Sequence, residues 1–148
     1  TGMLLSIFGI IAILFFVLPT NKMFDYMKKT ALMMYGLLTI SLALLLLSLS
    51  TGLLYLIGAM VVYGIGFALL FPSTSATIVE NTEENMRGKA FGIFYSCFSL
   101  GVVSGSFLAG YLAVASSVIF LIGACVLIAS ILIIQIGRYL VIFQEKKV

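Results

Sequence analysis

Charged side chains are scarce in this sequence, and histidine is missing. The 148 residues include eight Lys or Arg, five Asp or Glu and no His, so that only 9% are charged while 63% are hydrophobic. An ordinary soluble domain is about 25% charged, so this composition predicts an integral membrane protein. We find no nucleophile beside a base, no metal-ligand cluster and no phosphate loop, and we therefore expect neither an enzyme nor a cofactor.

The sequence contains two cysteines, Cys97 and Cys125. Both lie in long apolar runs, and neither belongs to a C-x-x-C or metal-ligand spacing. A free Cys in such a run behaves as a small apolar residue. We therefore interpret both as packing residues.

The charges that are present fall into three clusters, at 22–29, 80–89 and 138–147. The stretches between them, 30–79 and 90–137, contain no charge over 50 and 48 residues. Because about 20 helical residues cross a bilayer, each stretch is long enough to cross and return. All three clusters should therefore lie on one side. Basic residues that flank apolar spans follow the positive-inside pattern, which predicts a cytoplasmic side and no nucleic-acid partner.

Continuous apolar runs, without the alternation of barrel strands, predict an all-α fold of five transmembrane helices. The predicted spans are about 3–19, 31–49, 53–79, 90–114 and 118–136, with cytoplasmic turns at 20–30 and 80–89 and a cytoplasmic tail at 138–148. An odd number of spans predicts a fragment that lacks one upstream helix of a six-helix bundle. The first run has neither a preceding basic region nor an A-x-A-like site, so it does not resemble a signal peptide.

Small residues are concentrated in the fourth span. A stripe at steps of three or four contains Gly88, Gly92, Ser96, Ser99, Val103, Ser106 and Gly110, while Gly101 and Gly105 fall on nearly the opposite face. Small residues let helix backbones approach closely in lipid. We expect this helix to pack on two sides. The alternative is that the hydroxyls of Ser96, Ser99 and Ser106 line a polar path.

The third span has a similar stripe and an internal proline. The stripe consists of Tyr55, Ala59, Val62, Gly66, Leu70, Ser73 and Thr77. Pro72 removes one backbone hydrogen bond and should kink the helix, while the hydroxyls that follow it can satisfy freed carbonyls. The kink can serve as a hinge or as a static bend, and the sequence leaves both open.

The glycines of the fourth span form a pattern that resembles a motif of major facilitator superfamily transporters. The chain has G-x8-G-x3-G-S-x2-A-G at 92–110, where the family has G-x8-G-x3-G-P-x2-G-G. In the family, the full motif marks the fifth helix of drug/proton antiporters, and a degenerate copy occurs in the eleventh. Ser106 and Ala109 replace a Pro and a Gly, which identifies the degenerate copy.

The first charged turn resembles the family motif G-x-x-x-D-R-x-G-R-R, with Asp25 and Lys29 at matching positions. Gly64, Gly66 and Pro72 are similar to positions of the fourth and tenth helices. The resemblance therefore aligns the chain with helices eight to twelve, and helices two to six are the alternative. It implies that Asp25 and Lys29, with Glu80 and Arg87, latch a cytoplasmic gate. Asp25 is expected to pair with Lys28 or Lys29 or to stabilise the positive end of a neighbouring helix, and Glu80 to pair with Arg87. The alternative is that these turns are solvated and only follow the positive-inside pattern.

The resemblance implies a secondary transporter that works by alternating access, with a missing N-terminal half as partner and the plasma membrane as location. An apolar, aromatic and hydroxyl lining favours a lipophilic or weakly polar small-molecule substrate and multidrug efflux. A proton-coupled carrier would need its acidic relay outside this chain, because no acid lies within a span. The candidate pathway residues are Tyr55, Tyr63, Gly66, Ser73, Thr77, Tyr95, Ser96, Ser99 and Ser106, and the candidate packing or hinge residues are Pro72, Gly92, Gly101, Gly105 and Gly110. The alternative is a non-transporting membrane subunit whose glycines serve helix association.

Overall fold

The computed structural model describes residues 2–17, 28–49, 52–112 and 116–145, and within these ranges the chain is helical without a strand. Five α-helices follow one another: α1 Gly2–Val17, α2 Lys29–Leu49, α3 Leu53–Glu80, α4 Arg87–Leu112 and α5 Ser116–Glu145. A 3-10 turn, Glu84–Met86, precedes α4. The predicted all-α fold is confirmed.

Four of these helices are long and apolar enough to cross a membrane, judged by length and composition. Their spans are Lys29–Leu49, Leu53–Glu80, Glu84–Tyr111 and Ser117–Gly137. The described part of α1 has 16 residues, which is shorter than the roughly 20 that a crossing requires. The helix α5 continues past 137 to Glu145, so that much of the segment predicted as a tail is helical.

The helix α3 lies between α1 and α2, and two glycines bring it close to both neighbours. A Cβ on Gly66 would lie 2.8 Å from Ile40 Cγ1 and 2.9 Å from the Ile40 backbone nitrogen, both on α2. A Cβ on Gly64 would lie 3.0 Å from Ile11 Cγ2 on α1. Residues two apart point about 200° apart around a helix. The G-x-G sequence therefore gives α3 two opposite faces without side chains, one for each neighbour.

The helix α2 also packs against α5, and this contact is polar as well as apolar. Ser41, which is buried, donates a hydrogen bond to the Ala124 carbonyl at 3.3 Å, and Ser48 donates one to the Ser117 carbonyl at 2.7 Å. Gly123 on α5 admits Leu44, whose Cδ1 would lie 3.3 Å from an added Cβ. The order of these contacts shows that α2 and α5 are antiparallel.

The bond between Ser41 and Ala124 should contribute measurably to the free energy of unfolding. Interhelical hydrogen bonds in a membrane contribute about 0.6 kcal/mol on average, so Ser41→Ala should lower the free energy of unfolding by about that amount. The measurement is equilibrium unfolding of the full-length protein in mixed micelles. The matched control is Ser104→Ala, because Ser104 is exposed and donates to the Leu100 carbonyl of its own helix at 2.7 Å. Equal losses in the two variants would contradict the assigned role.

The helix α4 stands apart from the other four over most of its length. No residue of its most apolar 18-residue window is buried within the described part of the chain. A Cβ on Gly92, Gly101, Gly105 or Gly110 would meet nothing within 4 Å there. The described helices therefore supply no partner for these glycines, and their close packing stays a prediction.

Candidate functional site

A row of aromatic side chains runs along α3 toward α4. Tyr63, Phe67 and Phe71 are spaced four residues apart, so that they share one face of α3. Phe8 of α1 lies against this face, with ring centroids 5.2 Å from Tyr63 and 5.6 Å from Phe67. Phe67 and Phe71 are stacked, with centroids 5.4 Å apart.

Phe71 extends this face to α4. Its ring centroid lies 6.3 Å from that of Phe94 and 6.4 Å from that of Tyr95. Phe94 and Tyr95 contact each other edge to face at 5.3 Å, which is a favoured geometry for aromatic pairs. The rings thus form one continuous apolar surface that joins three helices. We call it the ring surface, and it consists of Phe8, Tyr63, Phe67, Phe71, Phe94 and Tyr95.

Two cavities open beside these helices. One, of about 200 Å³, is lined by apolar groups, namely Ala12, Ile13, Phe67, Ala68, Phe71 and Pro72. The other, of about 380 Å³, lies between α2 and α3 and is lined by Leu46, Leu54, Tyr55, Gly58, Ala59 and Val62. An apolar cavity of about 150 Å³ can bind a benzene-sized molecule. Both spaces exceed this volume, but unlike that enclosed cavity they open at the surface of the helices.

The predicted pathway residues are distributed over several surfaces. Tyr63 and Tyr95 belong to the continuous ring surface, whereas Tyr55, at 69% exposure, borders the larger cavity. Gly66 lies in the α2–α3 crossing, and Ser73 is fully buried. Ser96, Ser99 and Ser106 are exposed on α4.

Most of the hydroxyls with a described partner donate within their own helix. Ser73 donates to the Leu69 and Leu70 carbonyls at 2.6 and 2.9 Å, and Thr74 donates to Leu70 at 2.8 Å. These bonds go to carbonyls of the turn before Pro72, whereas the carbonyl that Pro72 leaves without a donor is that of Ala68, so the predicted satisfaction of the freed carbonyl stays a prediction. Thr77 donates to the Ser73 carbonyl at 2.7 Å, and Ser96 donates to Gly92 at 2.8 Å. Their oxygens stay available as acceptors for a ligand.

The end of the bundle that holds Lys29, Glu80 and Arg87 is called the charged end below. There Lys29, at the start of α2, forms an ion pair with Glu80, at the end of α3. Arg87 Nη1 lies 3.4 Å from Glu84 Oε1, three residues earlier in the chain. The Nε of Arg87 is buried without a hydrogen-bond partner among the described residues.

These pairs correct the pairing expected between Glu80 and Arg87. The physical reason is that the Gly36–Gly66 crossing holds antiparallel α2 and α3 close together, which places Lys29 beside Glu80. The 3-10 turn before α4 meanwhile places Glu84 next to Arg87. Asp25 and the remainder of the predicted turn at 20–27 lie outside the described residues.

Sequence reasoning missed Phe8, Phe67 and Phe71 as members of the ring surface. Their signal was present on α3, where Tyr63, Phe67 and Phe71 recur every fourth residue. The cavity beside Pro72 could not be inferred in the same way, because it depends on how α1 crosses α3. The described residues contain no group of three or more His, Cys, Asp or Glu side chains positioned for a metal ion.

The described helices thus combine an apolar ring surface with an ion pair at one end of the bundle. No curated protein and no solved structure matches the chain. A family model described as Major Facilitator Superfamily matches residues 1–144, nearly the whole chain. The chain therefore belongs to the Major Facilitator Superfamily and is an integral membrane protein of the secondary-transporter class.

Proposed function

We propose that this chain supplies five helices of one half of a carrier for lipophilic or weakly polar solutes, which works by alternating access. The observation that carries the proposal is the continuous ring surface through Tyr63, Phe67, Phe71 and Tyr95, with an apolar cavity beside it. Such a surface can bind a planar aromatic solute by stacking. The five helices correspond best to helices eight to twelve of the family.

The substrate class follows from the side chains along these helices. No Lys, Arg, Asp or Glu lies between 30 and 79 or between 90 and 137. A phosphate or dicarboxylate would need a cationic partner in such a site, because an unpaired charge in an apolar environment is costly. An aromatic solute needs no such partner, and a delocalised cation is attracted to ring faces. Multidrug efflux is the activity that fits this chemistry.

The charged end would be the cytoplasmic end, in the plasma membrane. The three charge clusters hold all eight basic residues, which the positive-inside rule places on that side. Lys29 and Glu80 would then hold α2 and α3 together where the carrier closes toward the cytoplasm. Arg87, and Asp25 in the preceding turn, would belong to the same gate.

Any proton coupling would use an acid on the helices that complete the carrier. Membrane-embedded acids are the usual proton relays in transporters, and residues 30–79 and 90–137 contain none. The half that completes the carrier would therefore supply both the second wall of the pathway and the coupling group.

The proposal is tested by transport into proteoliposomes that contain the full-length protein. Ethidium serves as the planar aromatic probe and glucose 6-phosphate as the anionic one, each with an imposed proton gradient. We expect gradient-dependent movement of ethidium, and movement of glucose 6-phosphate no faster than in protein-free liposomes. The matched variant is Phe67→Ala, which removes a ring that contacts both Phe8 and Phe71 and should reduce ethidium transport.

The possible outcomes separate the two classes of function. Transport of glucose 6-phosphate without ethidium would overturn the substrate class but retain a carrier. Movement of neither probe by a monodisperse protein would favour the non-transporting membrane subunit, whose exposed α4 glycines would serve helix association.

A further inference from the structure

Among the described residues, one side chain of α3 makes the ring contacts that join this helix to α4. Within the described chain, the ring contacts between α3 and α4 join Phe71 to Phe94 at 6.3 Å and to Tyr95 at 6.4 Å. Beyond this point α4 has no buried residue in its apolar window, and its Gly101 and Gly105 face open space. The contact therefore resembles a single point of support more than a continuous seam.

The surface that receives Phe71 has the geometry of a socket. Phe91, Phe94, Tyr95 and Phe98 stand at positions i, i+3, i+4 and i+7 of α4. Four residues at this spacing can form the hole that receives a side-chain knob between packed helices, and Phe71 contacts the middle two, Phe94 and Tyr95. Their rings also contact one another, at 6.3 Å for Phe91 with Tyr95 and 6.5 Å for Phe94 with Phe98.

Phe71 also borders one of the two cavities described above. Phe71 and the next residue, Pro72, line the apolar cavity of about 200 Å³ between α1 and α3. Protein interiors are normally packed with few voids, so a side chain in the core has little room to move. The Phe71 ring has more room than such a side chain, because it lines this cavity. Pro72 also removes a backbone hydrogen bond at the same turn, which makes this turn of α3 the easiest to bend.

We infer that Phe71 is the pivot of α4, a positioning residue that fits into the α4 socket and transmits bending at Pro72 to that helix. A single knob holds one point of α4 in place but permits the remainder of the helix to turn about it. The adjoining cavity, which is open at the surface of the helices, gives the ring the space that this turning requires. The inference extends the proposed alternating access, but it concerns helix position and is testable without transport.

Cysteine labels provide the measurement. Cys97 on α4 and Cys125 on α5 are both exposed. Cys97 lies three residues after Phe94, about 60° around the helix, so a label there would border the socket. Cys97 is therefore replaced by alanine, and the α4 label is placed on Leu100→Cys, which is 69% exposed and lies about 170° from the centre of the socket. With any cysteines outside this chain replaced, spin labels on Leu100→Cys and Cys125 report the α4–α5 distance by pulsed electron spin resonance. The sample is the full-length protein in lipid nanodiscs.

Three variants separate a pivot from general packing. Phe71→Leu keeps an apolar side chain without a ring, and we expect the distance distribution to lose its single narrow peak. Phe71→Tyr keeps the ring and should retain the peak. Phe67→Leu removes a ring from the same face of α3. This ring contacts Phe8 and Phe71 but, among the described residues, no ring of α4, so the variant should also retain the peak.

A fourth variant covers the case in which Phe71→Leu does not fold. Phe94→Leu combined with Tyr95→Leu removes the socket and leaves α3 intact, and it should broaden the distribution in the same way. An unchanged peak in Phe71→Leu, or in the double variant if Phe71→Leu does not fold, would overturn the inference. Equal broadening in Phe67→Leu, or loss of the peak in Phe71→Tyr, would also overturn it.

Discussion

Replacing Gly66 by alanine is expected to disrupt the packing of α2 on α3 and to cause a large loss of correctly folded protein. The new Cβ would lie 2.8 Å from Ile40 Cγ1, 2.9 Å from the Ile40 backbone nitrogen and 3.1 Å from the Gly36 carbonyl oxygen. Two of these atoms belong to the backbone of α2, so rotation of a side chain cannot relieve the contact. Overpacking typically costs about 1–3 kcal/mol, and we expect a loss at the upper end of that range.

The measurement is the free energy of unfolding of the full-length protein, together with its monodisperse fraction after purification in detergent. The matched control is Gly58→Ala in the same helix, because a Cβ there meets nothing within 4 Å. Both substitutions gain the same helix propensity, about 1 kcal/mol relative to Gly, so the difference between the variants isolates the close approach. Equal stability of the two variants would show that α2 and α3 do not cross at Gly66.

Reversing the charge of Glu80 is expected to open the charged end, and reversing Lys29 as well should restore closure. Glu80→Lys replaces the Lys29–Glu80 attraction by repulsion between two cations. The side chains are 30% and 55% exposed, so solvent weakens the interaction to about 1 kcal/mol or less, which is up to roughly fivefold in the population of the closed state. The double variant Lys29→Glu with Glu80→Lys keeps the number of positive charges at this end. It should therefore keep the orientation of the protein in the membrane, which depends on that number.

The change is measured in variants that also carry Thr77→Cys. Two quantities are compared in each: the rate of ethidium transport, and the rate at which a thiol reagent added on the side of the charged end labels position 77. Thr77 is partly buried and lies one turn before Glu80 in α3. We expect Glu80→Lys to raise the labelling rate and reduce transport, and the double variant to return both toward the parent. The control is Glu84→Lys, which removes the exposed contact with Arg87 and should change neither rate by a comparable amount. Failure of the double variant to recover would mean that the ion pair does not hold the gate.

The helices were predictable from sequence because the signals for them are local. Uncharged stretches of about 50 residues must cross a membrane and return, and small polar turns divide each stretch into two helices. The helices α1 Gly2–Val17 and α2 Lys29–Leu49 lie near two of the predicted spans, 3–19 and 31–49, but residues 18 and 19 lie outside the described residues and the extent of the spans stays a prediction. The tertiary contacts of Gly66 were only partly predictable. The predicted stripe contained three of the five buried residues of α3, namely Ala59, Gly66 and Ser73, but it missed Gly64 and Ala68 and did not reveal which helix would cover them.

The ion pairs and the ring surface were less accessible to sequence reasoning because they depend on contacts distant in the chain. Glu80 and Arg87 are near in sequence and were paired for that reason, yet Lys29, 51 residues away, is the partner of Glu80. The packing of two antiparallel helices decides that pair. Phe71 had no special status in the sequence, since its role depends on the position of Phe94 and Tyr95 across the interhelical space.

The α4 helix illustrates the limit of the small-residue argument. Its glycines follow the pattern of helices that pack closely in lipid, and yet no described helix covers Gly101 or Gly105. A stripe of small residues predicts that a backbone can approach, but it does not say which one. Under the proposed function, the half that completes the carrier would contact this face.

The most direct test of alternating access compares the two ends of α3 in the same carrier. Tyr55 and Thr77 lie roughly 33 Å apart at 1.5 Å per residue, the first beside the larger cavity and the second near the charged end. With Cys97 and Cys125 replaced by alanine, Tyr55→Cys and Thr77→Cys are labelled from their own sides with a membrane-impermeant maleimide, with and without ethidium. The account predicts opposite changes, so that one labelling rate rises as the other falls. Changes in the same direction, or no change at either position, would contradict it.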